Sequence, residues 1–419
     1  MEKFLIGIDT GGTFTDAVLV KKATGRVVHT AKAPTHHHSL SSGISEALGS
    51  LLSTCAVPAE AVDGIAISST LATNAVVENK GARVAVFVIG YVKHFKLPVK
   101  AVIFVKGGHT INGVEEEPLE LEYITSLLHN LKDEVDAYGI CAAMSFKNPT
   151  HELVTEKAIA MIDPKPVFSS HRLSTVAGME PRAATAGLHA KLMPLMADFI
   201  EGVEYSLKQA NIRAPLHIVS GNGELLNAQN AIEHAGMTVS SGPACTALFG
   251  MLHSPPEAVI IDVGGTTTDV TMIKNGRPLF SEKGCHIGKW HTHVKAIDML
   301  TRGIGGDSLV QLSEKNALSI GPQRVTPLAT SPCIAEIDTW LGNGGASQCI
   351  ELLGKIPGDS NFTRVITALE KKGPCTLQQL QRETQLSSVP LDRQLENLSR
   401  QRLIRETGFT PTDALHVLG

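Results

Sequence analysis

Two short segments of the chain repeat one pattern of aspartate, glycine and threonine. Residues 9–16 read Asp-Thr-Gly-Gly-Thr-Phe-Thr-Asp, and residues 262–269, which lie 253 positions later, read Asp-Val-Gly-Gly-Thr-Thr-Thr-Asp. Paired glycines allow a tight turn that brings backbone N–H groups close to an anion, and threonine hydroxyls add neutral donors. An aspartate beside the turn offers an oxygen to magnesium, usually through water. The pattern therefore predicts a phosphate site with a divalent metal ion.

Each copy lies between two short apolar runs. Residues 4–8 and 17–20 flank the first copy, and residues 259–261 and 270–273 flank the second. Such runs are typical of strands, so both copies are predicted to form β-hairpins with a glycine-threonine tip. One copy alone could equally be a tight β-turn without a ligand. Two full copies favour a nucleotide held in a cleft between two related α/β lobes.

The residue types suggest specific roles at this site. We predict that Asp9 and Asp262 organise magnesium and act as the catalytic carboxylates, because phosphoryl transfer requires the charge on the phosphates to be neutralised. A glycine-rich segment near residue 305 suits the adenosine end, where Asp307 can accept a hydrogen bond from a ribose hydroxyl. The predicted ATP contacts are Thr10, Gly11, Gly12, Thr13, Thr15, Gly264, Gly265, Thr266, Gly305, Gly306 and Asp307.

The composition is that of an ordinary globular protein. The 419 residues allow two or three domains, and 43% hydrophobic with 19% charged residues is a typical balance. A net charge of −4 gives no general attraction to nucleic acid or to an anionic membrane. The seven cysteines are scattered without a Cys-x-x-Cys pair, and the apolar runs are far below the ~20 residues of a membrane helix. We expect a cytoplasmic protein that acts on small molecules.

Further blocks of sequence follow the first copy of the repeat. They are residues 69–75, 80–83, 145–152 and 241–244, with Glu180, Arg182 and Thr185. Together with residues 7–16, these blocks resemble the hydantoinase/oxoprolinase family over roughly residues 4–325. The resemblance implies an α/β fold with two ribonuclease H-like lobes of the actin and sugar-kinase type and an interdomain ATP cleft.

The resemblance also implies an activity. Members of the family use ATP and Mg²⁺ to phosphorylate the carbonyl oxygen of a cyclic amide, such as hydantoin or 5-oxoproline, and so activate the carbon for water. A partner subunit of the hydantoinase B type is often required. Thr70, Thr73 and Asn74 lie after a predicted strand and before a helix, where they would contact substrate or phosphate. The alternative for these three residues is an N-cap and turn cluster.

Other functions are compatible with the same fold. A small-molecule kinase or an acetone-carboxylase-type subunit is one alternative, and a nucleotide-dependent regulator is another. The general base is not identified, since Glu152, Glu180 and Glu224 are equivalent candidates. A histidine group near Trp290, at residues 286, 291 and 293, could hold a metal ion, but packing is the favoured interpretation.

The C-terminal part of the chain differs in pattern. We predict domains at residues 1–185, 186–330 and 331–419, with a winged-helix-like module of three short helices and a strand in the last of them. Its basic residues are too sparse for a nucleic-acid surface, so a structural or subunit-docking role is favoured. Assembly with further copies of the chain is compatible with the sequence. Residues 410–414 resemble the start of another helix, so we expect the chain to be truncated.

Overall fold

The computed structural model describes most of the chain. The described residues are 2–12, 14–35, 40–55, 57–91, 93–173, 178–281, 284, 286–287, 289–312, 317–331, 337–341, 347–353, 363–400 and 403–418. Thr13 of the first predicted phosphate turn, and the side chain of His286, lie outside this description. Contacts divide the chain into a first unit, Met1–Ile260 with Thr271–Met299, and a second unit, Ile261–Val270 with Leu300–Gly419. Each unit is described separately.

The predicted domain boundaries stay predictions, because a compact unit defined by contacts need not coincide with a homologous domain. The boundary predicted after residue 185 falls within one continuous helix, Met179–Gln209.

The elements alternate between strands and helices over most of the chain. The strands are β1 (Phe4–Thr10), β2 (Phe14–Lys21), β3 (Arg26–Pro34), β4 (Val62–Ser69), β5 (Val84–Ile89), β6 (Ala101–Val105), β7 (Ala137–Ala142), β8 (Val167–Ser169), β9 (Leu216–Val219), β10 (Leu225–Asn227), β11 (Ala258–Val263), β12 (Thr268–Lys274), β13 (Arg277–Pro278), β14 (His286–Ile287), β15 (Trp290–His291), β16 (Met299–Arg302), β17 (Ser308–Leu312), β18 (Leu318–Arg324), β19 (Thr326–Pro327), β20 (Gln348–Leu352) and β21 (Ile404–Gly408). The helices are α1 (Leu40–Cys55), α2 (Leu71–Val77), α3 (Leu121–Leu131), α4 (Thr150–Ile162), α5 (Met179–Gln209), α6 (Ala228–Glu233), α7 (Ser241–His253), α8 (Ile337–Trp340), α9 (Thr363–Lys372), α10 (Leu377–Thr384), α11 (Ser388–Arg400) and α12 (Pro411–Leu418).

A mixed six-stranded sheet of the first unit carries the first predicted hairpin. Its order is β10-β9-β4-β1-β2-β3, with β2 antiparallel and β4 parallel to β1. Side chains along β1 alternate between the two faces, so Phe4, Ile6 and Ile8 are buried while Asp9 is exposed. The registers place Asp9 opposite Asp16 on β2 and beside Ser68 on β4. The predicted hairpin of β1 and β2 is confirmed.

A four-stranded parallel sheet, in the order β6-β5-β7-β8, forms a second layer of the first unit. Every residue of β5 and of β7 is buried, as expected for parallel strands covered on both faces. Helices α3 and α4 contribute Ile124, Leu128 and Ile159 to the core on one face. Helix α5 contributes Ala183, Ala186 and Ala190 to the core on the other.

Helix α5 is buried on two sides. Ala184, Leu188, Leu192 and Met196 follow one another at four-residue intervals and pack into the core of the six-stranded sheet. The other side packs on the parallel sheet. The helix begins at Met179 and ends at Gln209. It is apolar on two sides because it lies between two cores.

The second unit contains smaller sheets and a helical cluster. Strands β17 and β18 pair antiparallel, and β21 lies between β19 and β20. Helices α9, α10 and α11 share a core that includes Val365, Leu380 and Leu391. The three predicted helices, the strand near residue 404 and the final helix are confirmed as elements, while the winged-helix assignment stays a prediction. None of the described helices is long and apolar enough to cross a membrane.

Candidate functional site

The first hairpin places an acidic residue next to a glycine turn. The turn is closed by the Gly11 N–H, which donates to the Phe14 carbonyl at 3.0 Å. The Ser68 hydroxyl donates to Oδ1 of Asp9, so the neighbouring parallel strand fixes the orientation of this carboxylate. Apart from Gly12 and its two neighbours in the chain, no described residue has an atom within 4 Å of the position that a Cβ on Gly12 would take. The tip therefore combines an oriented carboxylate with open space beside the backbone.

Two of the three threonines of this hairpin, Thr10 and Thr15, point away from the turn. Thr10 is fully buried, and its hydroxyl has no hydrogen-bond partner among the described residues. The Thr15 hydroxyl is also buried and lies 3.2 Å from that of Thr35. Both side chains therefore belong to the interior of the sheet. Any phosphate contact of Thr10 and Thr15 would come from the backbone.

Helix α2 begins directly against the same hairpin. The Thr70 N–H donates to the Thr10 carbonyl at 3.0 Å, and the Thr70 hydroxyl lies 3.3 Å from the same oxygen. Asn74 Nδ2 donates to the Thr70 hydroxyl at 3.2 Å. The Thr73 hydroxyl accepts from the Ser240 N–H at 2.9 Å. Thr70 is the N-cap residue of α2, although its side chain makes no capping hydrogen bond to the helix. Contact of these three residues with a ligand stays a prediction.

Helix α7 completes the surroundings of Asp9. The Ser241 hydroxyl bridges the backbone of Ser69, accepting from its N–H at 3.1 Å and donating to its carbonyl at 3.0 Å. A Cβ on Gly242 would lie 3.8 Å from Oδ1 of Asp9. Burial raises the pKa of the Cys245 thiol, and the charge of Asp9 acts in the same direction. The thiol is therefore neutral.

The second hairpin closes by the equivalent hydrogen bond. The Gly264 N–H donates to the Thr267 carbonyl at 2.9 Å, and these two residues follow Gly11 and Phe14 by 253 positions each. The hydroxyl of Thr268 donates to the Ile304 carbonyl at 2.6 Å. The sequence repeat therefore corresponds to a repeated local structure.

A glycine loop clamps the second hairpin. The Gly306 N–H donates to the Gly264 carbonyl at 2.8 Å, and the Asp307 N–H donates to the Gly265 carbonyl at 2.7 Å. A Cβ on Gly305 would lie 2.5 Å from both carbonyl oxygens, so this close approach requires glycine. The Asp307 carboxylate accepts from Nε and Nη2 of Arg324 at 3.2 and 2.9 Å. The residue predicted to bind ribose is thus engaged by an arginine.

The structure collects the predicted residues into two groups. In the first unit, Asp9, Thr10, Gly11, Gly12 and Thr15 are joined by Thr70, Thr73 and Asn74. In the second unit, Gly264 and Gly265 are joined by Gly305, Gly306 and Asp307. Asp262 and Thr266 belong to the same hairpin segment. The sequence interpretation missed Ser68 as a partner of Asp9. The signal was available in principle, because neighbouring parallel strands present their carboxyl ends at the same edge of a sheet.

The structure also bears on two other candidates from the sequence: Glu152 as the general base, and a metal site formed by clustered side chains. Glu152 is fully buried and accepts from the Ala142 N–H, the Ser170 hydroxyl and the N–H and Nδ1 of His171. Its oxygens are occupied within the fold, so it is a poor general base. Among the described residues, no group of three or more His, Cys, Asp or Glu side chains could hold a metal ion. Magnesium held by one carboxylate, water and phosphate oxygens needs no such group.

Comparison with known families agrees with the duplicated hairpins. A family model for the hydantoinase/oxoprolinase N-terminal region matches residues 5–162, and a hydantoinase/oxoprolinase model matches residues 182–358. The chain belongs to the hydantoinase/oxoprolinase family. The matched regions of this hydantoinase/oxoprolinase chain include both hairpins, α2 and α7.

Relatives within the family carry different activities in their names. The caprolactamase subunit alpha of Pseudomonas jessenii is 26% identical over 365 residues, which cover 77% of this chain and 51% of that protein. The acetophenone carboxylase gamma subunit of Aromatoleum aromaticum is 25% identical over 391 residues, covering 80% and 53%. The chain thus spans about half the length of these relatives.

A solved structure supports the same fold. The crystal structure of the ATP-dependent caprolactamase from Pseudomonas jessenii matches with a TM-score of 0.66 and 24% identity, covering 82% of this chain and 53% of the other. The hydantoinase/oxoprolinase chain therefore shares a mixed α/β fold with that enzyme.

Proposed function

We propose that this chain is an ATP-dependent hydrolase subunit that phosphorylates a cyclic amide of the hydantoin or 5-oxoproline type and so prepares the ring for opening by water. The observation that carries the proposal is the duplicated glycine hairpin, closed by equivalent hydrogen bonds at Gly11 and Gly264. Membership of the hydantoinase/oxoprolinase family and similarity to a caprolactamase subunit support a cyclic amide as the phosphate acceptor.

The site residues are suited to ATP and Mg²⁺. Asp9 offers an exposed carboxylate oriented by Ser68, and the space beside Gly12 leaves room for an anion against the backbone. In this proposal Asp9 and Asp262 hold magnesium, which neutralises charge on the transferred phosphoryl group when bound. The glycines of both turns hold the phosphates. The two lobes are assigned to the actin and sugar-kinase type, with the nucleotide in the cleft between them.

The substrate side of the proposal rests on Thr70, Thr73 and Asn74. An amide oxygen is a poor nucleophile, so the protein's task is mainly to position that oxygen and to exclude competing water. Asn74 donates a hydrogen bond to the Thr70 hydroxyl, and this hydroxyl in turn donates to the Thr10 carbonyl at the phosphate turn. A substrate held by this pair would therefore lie next to the first hairpin.

A partner subunit of the hydantoinase B type completes the proposed enzyme. Similar proteins are named as subunits, and the chain spans about half of their length. We assign α9, α10, α11 and β21 to a winged-helix-like module with a docking role. The similarity to an acetophenone carboxylase subunit favours a second candidate function, the ATP-dependent carboxylation of a ketone.

The test is ATP turnover by the chain together with its partner subunit. Hydantoin, 5-oxoproline and ε-caprolactam are each supplied with Mg²⁺, and phosphate release is measured beside the ring-opened product. Stimulation by at least one cyclic amide, lost in Asp9→Asn, is the expected result. Bicarbonate-dependent consumption of acetone or acetophenone, without stimulation by any cyclic amide, would replace the proposal by the carboxylase. Turnover with neither substrate class would contradict both.

A further inference from the structure

A large cavity of the first unit lies outside the hairpin site. Its volume is about 980 Å³, within the range of sites for ligands of nucleotide size. Four segments line it: residues 76–84 at and beyond the end of α2, residues 96–100, Lys191 on α5, and residues 289–290. Helix α2 begins at the first hairpin and ends in this wall. Its seven residues span about 10 Å, so the two places are close but separate.

The wall of this cavity is strongly basic. Its cationic residues are Arg83, Lys96, Lys100, Lys191 and Lys289, and no acidic residue is among the described residues that line it. Arg83 pairs with Asp136 at 2.8 Å, and Lys100 pairs with Glu134 at 2.9 Å. The other three lysines make no ion pair with a described carboxylate. The cavity therefore has an excess of positive charge that nothing in its own wall neutralises.

Lys191 is the most unusual member of this group. It is only 6% exposed, and its side chain lines the cavity. Burial lowers the pKa of Lys191, and no carboxylate acts against that effect. Burying a charge without a partner is costly, so buried lysines are normally paired or serve a ligand.

A second buried cation on the same helix provides the contrast. Arg182 is 2% exposed, and its Nη2 donates to Ser170 Oγ, to the Ser170 carbonyl and to Ser145 Oγ at 2.8 to 2.9 Å. Its guanidinium also lies 5.2 Å from the centre of the Phe146 ring. Arg182 is thus satisfied by the protein, whereas Lys191 faces a cavity.

The backbone around Lys191 is held in place. The Ala82 N–H donates to the Lys191 carbonyl at 3.0 Å. Gly81 has a φ of +100°, and a Cβ there would lie 2.8 Å from the same carbonyl oxygen. Glycine is therefore needed for the loop that carries Arg83 to cross α5 at this point. The lysine is fixed on a rigid helix beneath a closely packed loop.

We propose that this cavity is a second anion site, separate from the hairpins, that binds a multiply charged phosphate compound with Lys191 as its central contact. Three ammonium groups in one wall, of which Lys191 is buried and Lys96 and Lys289 are exposed, favour an anion with several negative charges. Ammonium groups act on phosphate as point charges without fixed geometry, which suits a phosphate chain in an open cavity. The proposal does not depend on the proposed function at Asp9.

The test uses inorganic tripolyphosphate as the probe in isothermal titration with the full chain. Wild type and Lys208→Met, which removes an exposed lysine from the same helix, should bind it with an affinity that falls with salt. Lys191→Met should bind about tenfold more weakly or not at all, as expected for the loss of one charge-assisted contact. Without ligand, Lys191→Met should melt at a higher temperature than wild type, because burial disfavours the charged form of Lys191 in the folded chain.

Further arms guard against a misfolded variant and separate the site from general anion binding. The double variant of Lys96→Gln and Lys289→Gln, at two other residues of the cavity wall, should weaken binding even if Lys191→Met fails to fold. Unchanged affinity in both lysine variants would overturn the proposal. Equal affinity for citrate would overturn the assignment to phosphate.

Discussion

The two hairpins have the same sequence pattern but different surroundings. Both close by a hydrogen bond from the first glycine, at 3.0 Å for Gly11 and 2.9 Å for Gly264. Beyond that bond they diverge. The first hairpin lies within a six-stranded sheet and leaves space beside Gly12. The second is clamped at Gly265 by the loop that carries Asp307. One copy is thus open at its tip, and the other is supported from within its own unit.

The aspartates of the two hairpins also have different surroundings. Asp9 is oriented by Ser68 on the neighbouring strand, and its cross-strand neighbour Asp16 pairs with Lys32 at 3.0 Å on an exposed face. The residue equivalent to Asp16 is Asp269, which accepts from the Thr301 hydroxyl and is half-buried. The two carboxylates at this repeat position therefore have different electrostatic environments although their local sequence is alike.

The largest expected effect follows from the orientation of Asp9. Asp9→Asn removes a charge at the open hairpin, and we expect ATP turnover to fall by about a hundredfold or more, because one preorganised electrostatic group commonly contributes that much. Asp16→Asn is the matched control, since it removes a carboxylate directly opposite on β2 that pairs with Lys32. Its turnover should stay close to wild type. Equal losses in the two variants would mean that general charge, not the position of Asp9, matters.

A smaller effect should distinguish the tips of the two hairpins. In Gly265→Ala the new Cβ would lie 2.7 Å from Oδ2 of Asp307, and Arg324 holds that carboxylate in place. We expect a loss of about 1 to 3 kcal/mol in the free energy of unfolding, as for other overpacked sites. Gly12→Ala meets open space and should change stability by less than about 0.5 kcal/mol while weakening nucleotide binding.

Chemical denaturation and nucleotide titration measure these two quantities. The double variant of Gly265→Ala with Asp307→Ala should recover part of the lost stability, because the clashing oxygen is gone. An equal loss of stability in Gly12→Ala would contradict the contrast between an open and a clamped tip.

The hairpins could be predicted from sequence because their signal is local. Glycine pairs and flanking apolar runs specify a turn and two strands within about twenty residues, so β1, β2, β11 and β12 were found. The pairing of β5 with β7 has no such local signal. Pairing depends on contacts between residues far apart in the chain, such as Val84 with Ala137.

The direction of a side chain and its partners from distant parts of the chain could not be predicted from the sequence. Thr10 looks like a phosphate contact in the linear pattern, but strand alternation turns its hydroxyl into the core. Asp307 looks like a free carboxylate, yet Arg324 lies beside it across the β17–β18 pair. The basic cavity is assembled from four separate segments, so no window of sequence contains it. Each of these features requires the fold before it can be recognised.

The smallest expected effect concerns Asp269 and pH. Burial raises the pKa of Asp269, with the charge of Asp262 acting in the same direction, while hydrogen bonds from Thr301 and Thr267 oppose the change. A carboxyl whose pKa is raised on folding contributes stability below its ordinary value of 3.8, and this contribution is lost as the pH rises through the raised pKa. Asp269→Asn cannot ionise and should therefore gain stability relative to wild type as the pH rises.

Urea unfolding from about pH 3.5 to about pH 7 measures the change, with Asp16→Asn as the control for removing one charge at the equivalent position. A stability difference between Asp269→Asn and wild type that stays constant with pH would mean that Asp269 ionises as freely in the folded chain as in the unfolded one. Asp269 and its equivalent Asp16 would then not differ in their electrostatic environments. If the stability gain of Asp269→Asn over wild type grows with pH, the two hairpins differ in their strands as well as at their tips.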